Sequence, residues 1–290
     1  MSAGRFGTVA VVGRPSAGKS SLVNRLCGGK VSIVSSVPQT TRNRVRGIVT
    51  TERGQLVLID TPGLHDSEKK LNLHLKGLVT SSLGEVDIVL YVVDVSRRPG
   101  DEERVIADIV VSLSGPKVVV LNKTDLASSH RSEAEAFLSE RGLQGMPVSA
   151  LTGDGVEALR ERLLDLSPEG DPQYPEDYYT DQDVEFRIAE IIREKAIQQV
   201  REEIPHALYI EMADTEMQGD ALWVRAFVCV ERESQKGILI GKSASRIRAI
   251  RLEAERELAD IFPYPVQLDL QVKVRANWRH REELLRRLIQ

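Results

Sequence analysis

A run of eight residues near the start of the chain has the composition and spacing of a loop that binds the phosphates of a nucleoside triphosphate. It consists of Gly13, Arg14, Pro15, Ser16, Ala17, Gly18, Lys19 and Ser20. Glycines let successive backbone N–H groups face a phosphate, and a helix that begins at Lys19 adds its positive end. We expect Lys19 to contact the β- and γ-phosphates and the Ser20 hydroxyl to bind Mg²⁺. A chance match is the alternative, which the apolar run directly before the loop disfavours.

A second polar segment follows the strand-like run from Gln55 to Ile59. Its residues are Asp60, Thr61, Pro62, Gly63 and Leu64. Ligands of open α/β sheets bind at the carboxyl ends of strands, so we expect Asp60 to hold Mg²⁺ through water. The Gly63 N–H is expected to bond the γ-phosphate.

Two further segments indicate which base is bound. The first is Asn122, Lys123, Thr124 and Asp125, and the second is Ser149, Ala150 and Leu151. The Asp125 carboxylate can accept two hydrogen bonds from guanine, one from N1–H and one from the amine, and adenine offers no such pair. The second segment would place a backbone N–H against guanine O6. An isolated Asn-x-x-Asp is more often a turn, but its position after the fourth apolar run favours base recognition. The nucleotide pair is therefore predicted to be GTP and GDP.

The residues between the phosphate loop and Asp60 include a candidate switch segment, Gln39 to Asn43. Such a segment needs a threonine that meets Mg²⁺ and the γ-phosphate when GTP is bound. We favour Thr41 over Thr40, which makes Ser20, Thr41 and Asp60 the predicted Mg²⁺ set. A plain polar loop is the alternative for this segment on its own.

Hydrolysis of GTP requires mainly positioning and neutralisation of charge on the γ-phosphoryl group. We assign the catalytic roles to Lys19, Thr41 and Gly63. Leu64 stands where many GTPases carry a polar side chain that orients water, and leucine cannot do so by hydrogen bonding. The water must then be held by backbone groups or by a residue elsewhere, and slow intrinsic turnover is expected.

Length and composition favour a globular protein of two domains. The chain has 290 residues, of which 41% are hydrophobic and 28% charged, and a net charge of −4. Two distant cysteines, Cys27 and Cys229, lack metal-ligand spacing and indicate a reducing cytoplasm. The sequence shows neither a signal peptide nor an apolar run of the roughly 20 residues that a membrane span needs. We therefore predict a cytoplasmic protein, and a monomer.

Strand-like runs alternate with helical patterns over residues 4–167, which predicts an α/β P-loop fold with a doubly wound sheet. Three prolines and a glycine follow, and residues 168–182 are predicted to be a linker. Residues 183–280 have the element order α-β-β-α-α-β of an α+β domain. Residues 281–290 form a predicted basic C-terminal tail.

These motifs together resemble the Era family of bacterial GTPases. The resemblance is carried by the five nucleotide segments, by Tyr174 to Tyr178, by Arg193 to Lys195 and by Ile240 to Lys242. Related GTPases have asparagine where this chain has Ser16, beside a K⁺ site, so activation by K⁺ is left open. The resemblance implies that the second half is a type II KH domain, which binds RNA.

The KH resemblance places an RNA clamp at Gly241, Lys242, Ser243 and Ala244, because small residues and a cation suit a loop that grips a sugar-phosphate backbone. The predicted RNA-binding residues are these four and Lys236, Arg246 and Arg248. Ala244 replaces the final glycine of the family pattern Gly-x-x-Gly, and alanine is expected not to take a positive φ easily. An ordinary corner between two helices is the alternative for the loop alone.

The family resemblance implies particular partners and a particular cellular role. It implies binding to the 3′ region of 16S rRNA and to the 30S ribosomal subunit, a role in maturation of that subunit, and peripheral association with the cell membrane. A non-enzymatic RNA chaperone that senses guanine nucleotide is one alternative. Another GTPase of the same superfamily is a second, although 290 residues leave no room for the extra domain that such enzymes carry.

Overall fold

A computed structural model describes residues 4–35, 37, 40–63, 86–127, 129–201 and 203–288. The chain divides into two compact units. The first contains the residues up to Val34 and those from Thr41 to Asp181, and the second contains Ser35–Thr40 and Gln182–Leu288. Leu64 and a helix predicted near residues 70–82 lie outside the described residues.

The first unit is built on a six-stranded sheet with the order β2-β3-β1-β4-β5-β6. The strands are β1 Arg5–Val12, β2 Val45–Thr51, β3 Gly54–Asp60, β4 Ile88–Asp94, β5 Lys117–Asn122 and β6 Gly145–Pro147. Only β2 runs antiparallel to its neighbour. Every residue of β3 and β4 is buried, as expected of parallel strands covered on both faces. This confirms the predicted doubly wound α/β fold.

The described helices of this unit are α1 Lys19–Cys27, α2 Asp101–Ser112, α3 Arg131–Ser139 and α4 Val156–Leu166. Apolar residues at helical spacing bury one side of α2, including Ile106 and Val110, against Tyr91 and Leu121 of the sheet. Each large side chain that is fully buried in this way contributes about 1.5–3 kcal/mol. The packing fixes the carboxyl ends of β1, β3, β4 and β5 along one edge.

The segment predicted as a linker is bonded to the first unit as far as Asp181. Its backbone joins the sheet through Phe6 N–H to Pro168 O (3.1 Å) and Ile48 N–H to Tyr179 O (2.9 Å). The side chain of Gln55 is fully buried, and its Oε1 accepts from the N–H groups of Gln173 and Tyr174, each at 2.9 Å. The prolines exclude regular structure here, but these hydrogen bonds hold the segment in place.

The second unit has a three-stranded sheet with β8 in the centre, antiparallel to β7 and parallel to β9. Its elements are α5 Val184–Gln198, α6 Ile204–Ala207, β7 Tyr209–Gln218, β8 Ala221–Val230, α7 Glu233–Ile240, α8 Ser245–Ile261, β9 Val266–Val274 and α9 Glu282–Leu288. Alternate residues of β8 are buried, which is the pattern of a sheet with one covered face. The order of the main elements is that of the predicted type II KH domain. Residues 282–288, within the predicted tail, form a helix in which Leu285 is buried.

The loop between α7 and α8 contains two residues that carry a Cβ at a positive φ. Ala244 has φ 60° and ψ 24°, and Ser243 before it has φ 52°, so both occupy the left-handed region. Alanine is expected to take such a φ only at a cost, so this position carries backbone strain. The chain must reverse between two helices within a few residues, and the Ala244 N–H donates to Gly241 O at 3.2 Å to close that turn.

No helix among the residues that the model describes is both long and apolar enough to cross a membrane.

The backbone strain at Ala244 predicts that Ala244→Gly stabilises the protein by about 1 kcal/mol, because glycine takes a positive φ without a Cβ clash. The matched control is Ala249→Gly inside α8, which should destabilise by about 1 kcal/mol. Urea unfolding followed by circular dichroism measures both. A destabilised Ala244→Gly variant would contradict the strain.

Candidate functional site

The predicted phosphate loop lies between β1 and α1 and packs closely against Asn122. Gly18 has φ 89° and is the N-cap of α1, and a Cβ at this position would lie 2.4 Å from Asn122 Nδ2. The Lys19 ammonium donates to the carbonyls of Gly13 (3.1 Å) and Arg14 (3.0 Å). Burial lowers the pKa of Lys19 to about 8, against the opposing effect of the Asp60 and Glu103 charges. Among the described residues, the buried Lys19 ammonium therefore donates to two backbone carbonyls and is influenced by the charges of Asp60 and Glu103.

The three predicted Mg²⁺ ligands come together at one end of α1. The hydroxyls of Ser20 and Thr41 are hydrogen-bonded at 2.9 Å. Asp60 is fully buried, and neither carboxylate oxygen has a hydrogen-bond partner of good geometry among the described residues. Burial raises the pKa of Asp60, while Lys19 and the nearby hydroxyls of Ser20 and Ser32 lower it. Two hydroxyls beside an unpaired buried carboxylate are a fitting oxygen donor set for Mg²⁺.

Thr40 is not part of this set. It belongs to the second unit, where its hydroxyl donates to Val37 O at 2.6 Å and its carbonyl accepts from Arg193 Nη2 at 2.6 Å. Thr41, by contrast, directs its hydroxyl to Ser20. The geometry supports the choice of Thr41 over Thr40.

The segment after β3 runs directly beside the phosphate loop. A Cβ at Gly63 would lie 2.7 Å from both the N and the Cα of Pro15. The neighbouring Thr61 is fully buried and donates its hydroxyl to Val11 O at 2.7 Å, so its side chain fixes the segment to β1. Glycine is therefore required at position 63 for this close approach.

The two predicted base-recognition segments are joined by side-chain hydrogen bonds. Asn122 Nδ2 donates to Ala17 O (2.9 Å), and its Oδ1 accepts from the Ala150 N–H (3.0 Å). Ser149 Oγ donates to Asp125 Oδ1 at 2.6 Å, which orients a carboxylate on an otherwise exposed residue. These contacts bring together three of the predicted nucleotide segments, which are the phosphate loop and the two base-recognition segments.

Two basic side chains complete this arrangement. Lys123 has φ 72°, and its ammonium donates to Ser16 O (2.8 Å) and pairs with Asp94 (2.9 Å). The Arg14 guanidinium is buried and directed to Asp94 and Glu103 within the protein. Arg14 can therefore meet a phosphate only through its backbone.

Sequence reasoning missed several residues that shape the site. Arg25 of α1 donates to the carbonyls of Ala150 (3.1 Å) and Leu151, and so fixes the second base-recognition loop. Asn24 Oδ1 accepts from the N–H of Ser32 at 2.8 Å, which holds Ser32 beside Asp60. Polar residues of this kind have no spacing that separates them from an ordinary solvated helix face.

The predicted RNA clamp forms a small exposed corner in the second unit. Lys242 and Ser243 are exposed, and Arg248 on the first turns of α8 is exposed as well. The Arg246 guanidinium donates to Ile238 O at the end of α7, so this residue also has a structural contact. A Cβ at Gly241 would lie 2.9 Å from Arg246 Cβ, so a larger residue there would disturb the corner.

Comparison with known proteins places the two halves in families. A family described as 50S ribosome-binding GTPase matches residues 8–123, and a family described as KH domain matches residues 203–279. The GTPase Era of Treponema denticola is 52% identical over 289 residues, which cover 97% of this chain and 98% of the relative. This chain belongs to the Era family of GTPases.

Other Era proteins match over the same length. Era of Treponema pallidum is 45% identical over 310 residues, covering 98% of this chain and 97% of its own. A crystal structure of a variant of Aquifex aeolicus Era bound to GDP.AlF4- has a TM-score of 0.93 at 34% identity, with 98% of both chains covered. A structure of Era in complex with MgGDPNP and nucleotides 1506-1542 of 16S ribosomal RNA has the same TM-score at 33% identity and the same coverage.

The unpaired Asp60 carboxylate predicts an unusual effect on the stability of the nucleotide-free, Mg²⁺-free protein. Asp60→Asn should raise the free energy of unfolding at pH 7 by about 1–3 kcal/mol, because a neutral amide costs less to bury than an unpaired charge. The pKa of Asp60 is raised by folding, so the wild type gains stability as the pH falls and this carboxyl takes up a proton.

The difference between Asp60→Asn and the wild type should therefore shrink at acid pH. Thermal melts between pH 5 and pH 8 measure it, with Asp171→Asn at an exposed position as the control. A less stable Asp60→Asn protein at pH 7 would show that the carboxylate is not an energetic cost.

Proposed function

We propose that this Era-family GTPase binds GTP and GDP at the edge formed by the phosphate loop, Asp60, Asn122 to Asp125 and Ser149 to Leu151. The observation that carries the proposal is the contact of the Ser20 and Thr41 hydroxyls beside the unpaired carboxylate of Asp60. This set suits a Mg²⁺-bound triphosphate. Two solved Era structures contain GDP.AlF4- and MgGDPNP, which supports the same ligands here.

Different residues of this chain would have different roles in GTP hydrolysis. Lys19 would exchange its two carbonyl partners for the β- and γ-phosphates, whose charge favours its protonated form. Ser20 and Thr41 would hold Mg²⁺ directly and Asp60 through water. Bound Mg²⁺ supplies neutralisation of the charge on the phosphate oxygens. The Gly63 N–H would bond the γ-phosphate, and the close packing of Gly63 on Pro15 keeps it at the loop.

The second unit is proposed to bind the 3′ region of 16S rRNA. Era in the solved complex holds nucleotides 1506-1542 of 16S ribosomal RNA, and that structure aligns with 98% of this chain. Within the corner between α7 and α8, Lys242 and Arg248 are exposed cations suited to phosphates. Lys236, Gly241, Ser243, Ala244 and Arg246 complete the proposed surface.

We propose a role in assembly of the 30S subunit, because the RNA in the solved Era complex comes from the small ribosomal subunit. The description of the matched GTPase family refers to the 50S subunit, but the complex of a full-length relative contains 16S rRNA, which belongs to the small subunit. A cytoplasmic location, peripheral membrane contact and a monomeric state stay predictions from the sequence. The non-enzymatic chaperone is not favoured, because the chain belongs to a family of GTPases and keeps Lys19, Thr41 and Gly63.

The contact of Ser149 with Asp125 predicts the outcome of a change in base preference. In Asp125→Asn the Ser149 hydroxyl can still donate to the side-chain oxygen, so the amide is turned toward the base. Affinity for GDP should fall about a hundredfold or more, because guanine N1–H and the amine lose their acceptor. Affinity for xanthosine diphosphate should rise, since its 2-oxo group accepts from the amide.

Competition between fluorescent nucleotides measures both affinities. Asp154→Asn, at the edge of the same loop, is the matched control and should retain the preference for guanine. Unchanged selectivity in a folded Asp125→Asn protein would remove the basis for assigning guanine.

The exposed clamp predicts an effect on RNA binding that leaves nucleotide binding intact. Lys242→Glu should lower affinity for a 16S rRNA 3′-end oligonucleotide about tenfold, and its salt dependence should become less steep, because a phosphate contact is lost. Arg256→Glu is the matched control, because it makes the same charge change on α8 about 15 Å along the helix from Arg246. Fluorescence anisotropy at several salt concentrations measures the effect. Equal affinities of the two variants would contradict the clamp assignment.

A further inference from the structure

A buried network of charges lies behind the phosphate loop, and the proposed function does not explain it. Arg14 belongs to that loop, yet its guanidinium is buried and directed away from the ligand edge. Its Nη2 lies 3.2 Å from Asp94 Oδ2, and its Nε lies 3.1 Å from Glu103 Oε2. One loop residue is therefore attached to two carboxylates that come from different elements.

Asp94 is the centre of this network. It is the last residue of β4, and its side chain is fully buried. Oδ2 pairs with Arg14, Lys123 and, at 3.6 Å, the more exposed Arg97. Oδ1 accepts from the N–H (2.8 Å) and hydroxyl (2.5 Å) of Ser96. Although burial alone would raise the pKa of Asp94, the hydrogen bonds from Ser96 and Lys123 lower it, so the carboxylate is charged.

This single carboxylate joins the two parts of the nucleotide site. Arg14 lies in the phosphate loop, and Lys123 lies in the segment assigned to the base and also donates to Ser16 O of the loop at 2.8 Å. The positions of both cations relative to each other are thus set by Asp94. A shift of either would weaken an ion pair to a buried carboxylate, and loss of a partner is unfavourable for a charge in a protein interior.

Glu103 is the second carboxylate that pairs with Arg14, and Tyr91 fixes its orientation. It lies in the first turn of α2, and the Tyr91 hydroxyl of β4 donates to its Oε1 at 2.5 Å. Burial raises the pKa of Glu103, and the hydrogen bond from Tyr91 and the charge of Arg14 oppose that effect.

We propose that Asp94 and Glu103 are positioning residues that hold the phosphate loop in its binding shape and thereby slow the release of guanine nucleotide. The inference rests on the proposed nucleotide binding. The loop contacts the phosphates through its backbone, and Arg14 is the side chain by which that backbone is fixed from behind. The loop should therefore hold GDP and GTP less firmly, at the phosphates that both share, when Asp94 or Glu103 loses its charge.

The dissociation rate of mant-GDP from the full-length chain tests this inference. Asp94→Asn and Glu103→Gln should each raise that rate about tenfold or more, because small displacements of a positioning group have large effects. A mant-labelled GTP analogue should be affected to the same degree. In GTP hydrolysis KM should rise while kcat at saturating GTP changes little.

Asp101→Asn is the matched control. It removes an acid from the same first turn of α2, where Asp101 pairs with Arg104 on the surface, and it should leave the dissociation rate unchanged. Tyr91→Phe removes none of the charged side chains and should give a smaller rise of about two- to threefold through the lost hydrogen bond to Glu103. This variant decides the question if the two charge variants fail to fold.

Dissociation within about twofold of the wild type in folded Asp94→Asn and Glu103→Gln proteins would overturn the inference, even if their melting temperatures fell, because the network would then stabilise the fold alone. If the charge variants do not fold, an unchanged rate in Tyr91→Phe overturns it. Failure of the wild type to bind mant-GDP would instead refute the proposed function.

Discussion

Four parallel strands, β3, β1, β4 and β5, end at the same edge of the sheet, and the main parts of the nucleotide site are attached to these ends. The phosphate loop follows β1, Asp60 ends β3, Asp94 ends β4 and Asn122 ends β5. The register pairs Val11 with Asp60 and Asp94 with Asn122, so residues far apart in sequence become neighbours through backbone hydrogen bonds alone. The sheet is buried on both faces, so its packing keeps this edge in place.

The same edge contains buried charges that are energetically costly in a protein without a bound ligand. Lys19 donates only to carbonyls, and Asp60 has no good hydrogen-bond donor among the described residues. The Arg14 guanidinium, by contrast, is paired with both Glu103 and Asp94. The incompletely paired groups face the proposed ligand side and the paired groups lie behind the loop. We infer from this division that the incompletely paired groups contact the ligand and that the paired groups hold the loop in position.

Local spacing predicts the position of a segment that directly follows a strand. The phosphate loop, Asp60 and the two base segments each come directly after an apolar run, and in the structure each lies at the end of a strand. Sequence reasoning missed Asp94 and Glu103, since acids at the end of a strand and in a first helical turn are common on solvated surfaces. Only the pairing of β1 with β4 and the packing of α2 bring them to Arg14. Ala244 takes a positive φ because the turn between two packed helices outweighs the local preference of alanine.

The proline-containing stretch after α4 also has a role that its composition does not suggest. Thr180 forms a bridge with Gly47, its hydroxyl donates to Arg46 O at 2.8 Å, and Tyr179 O accepts from the Ile48 N–H. These contacts lie along β2, which is an outer strand of the sheet. An uncovered outer strand offers unpaired backbone groups to a second molecule and favours aggregation. The stretch therefore covers backbone groups of an edge strand that could otherwise pair with another molecule. A protein shortened before Tyr179 would be expected to lose solubility while its nucleotide loops remain intact.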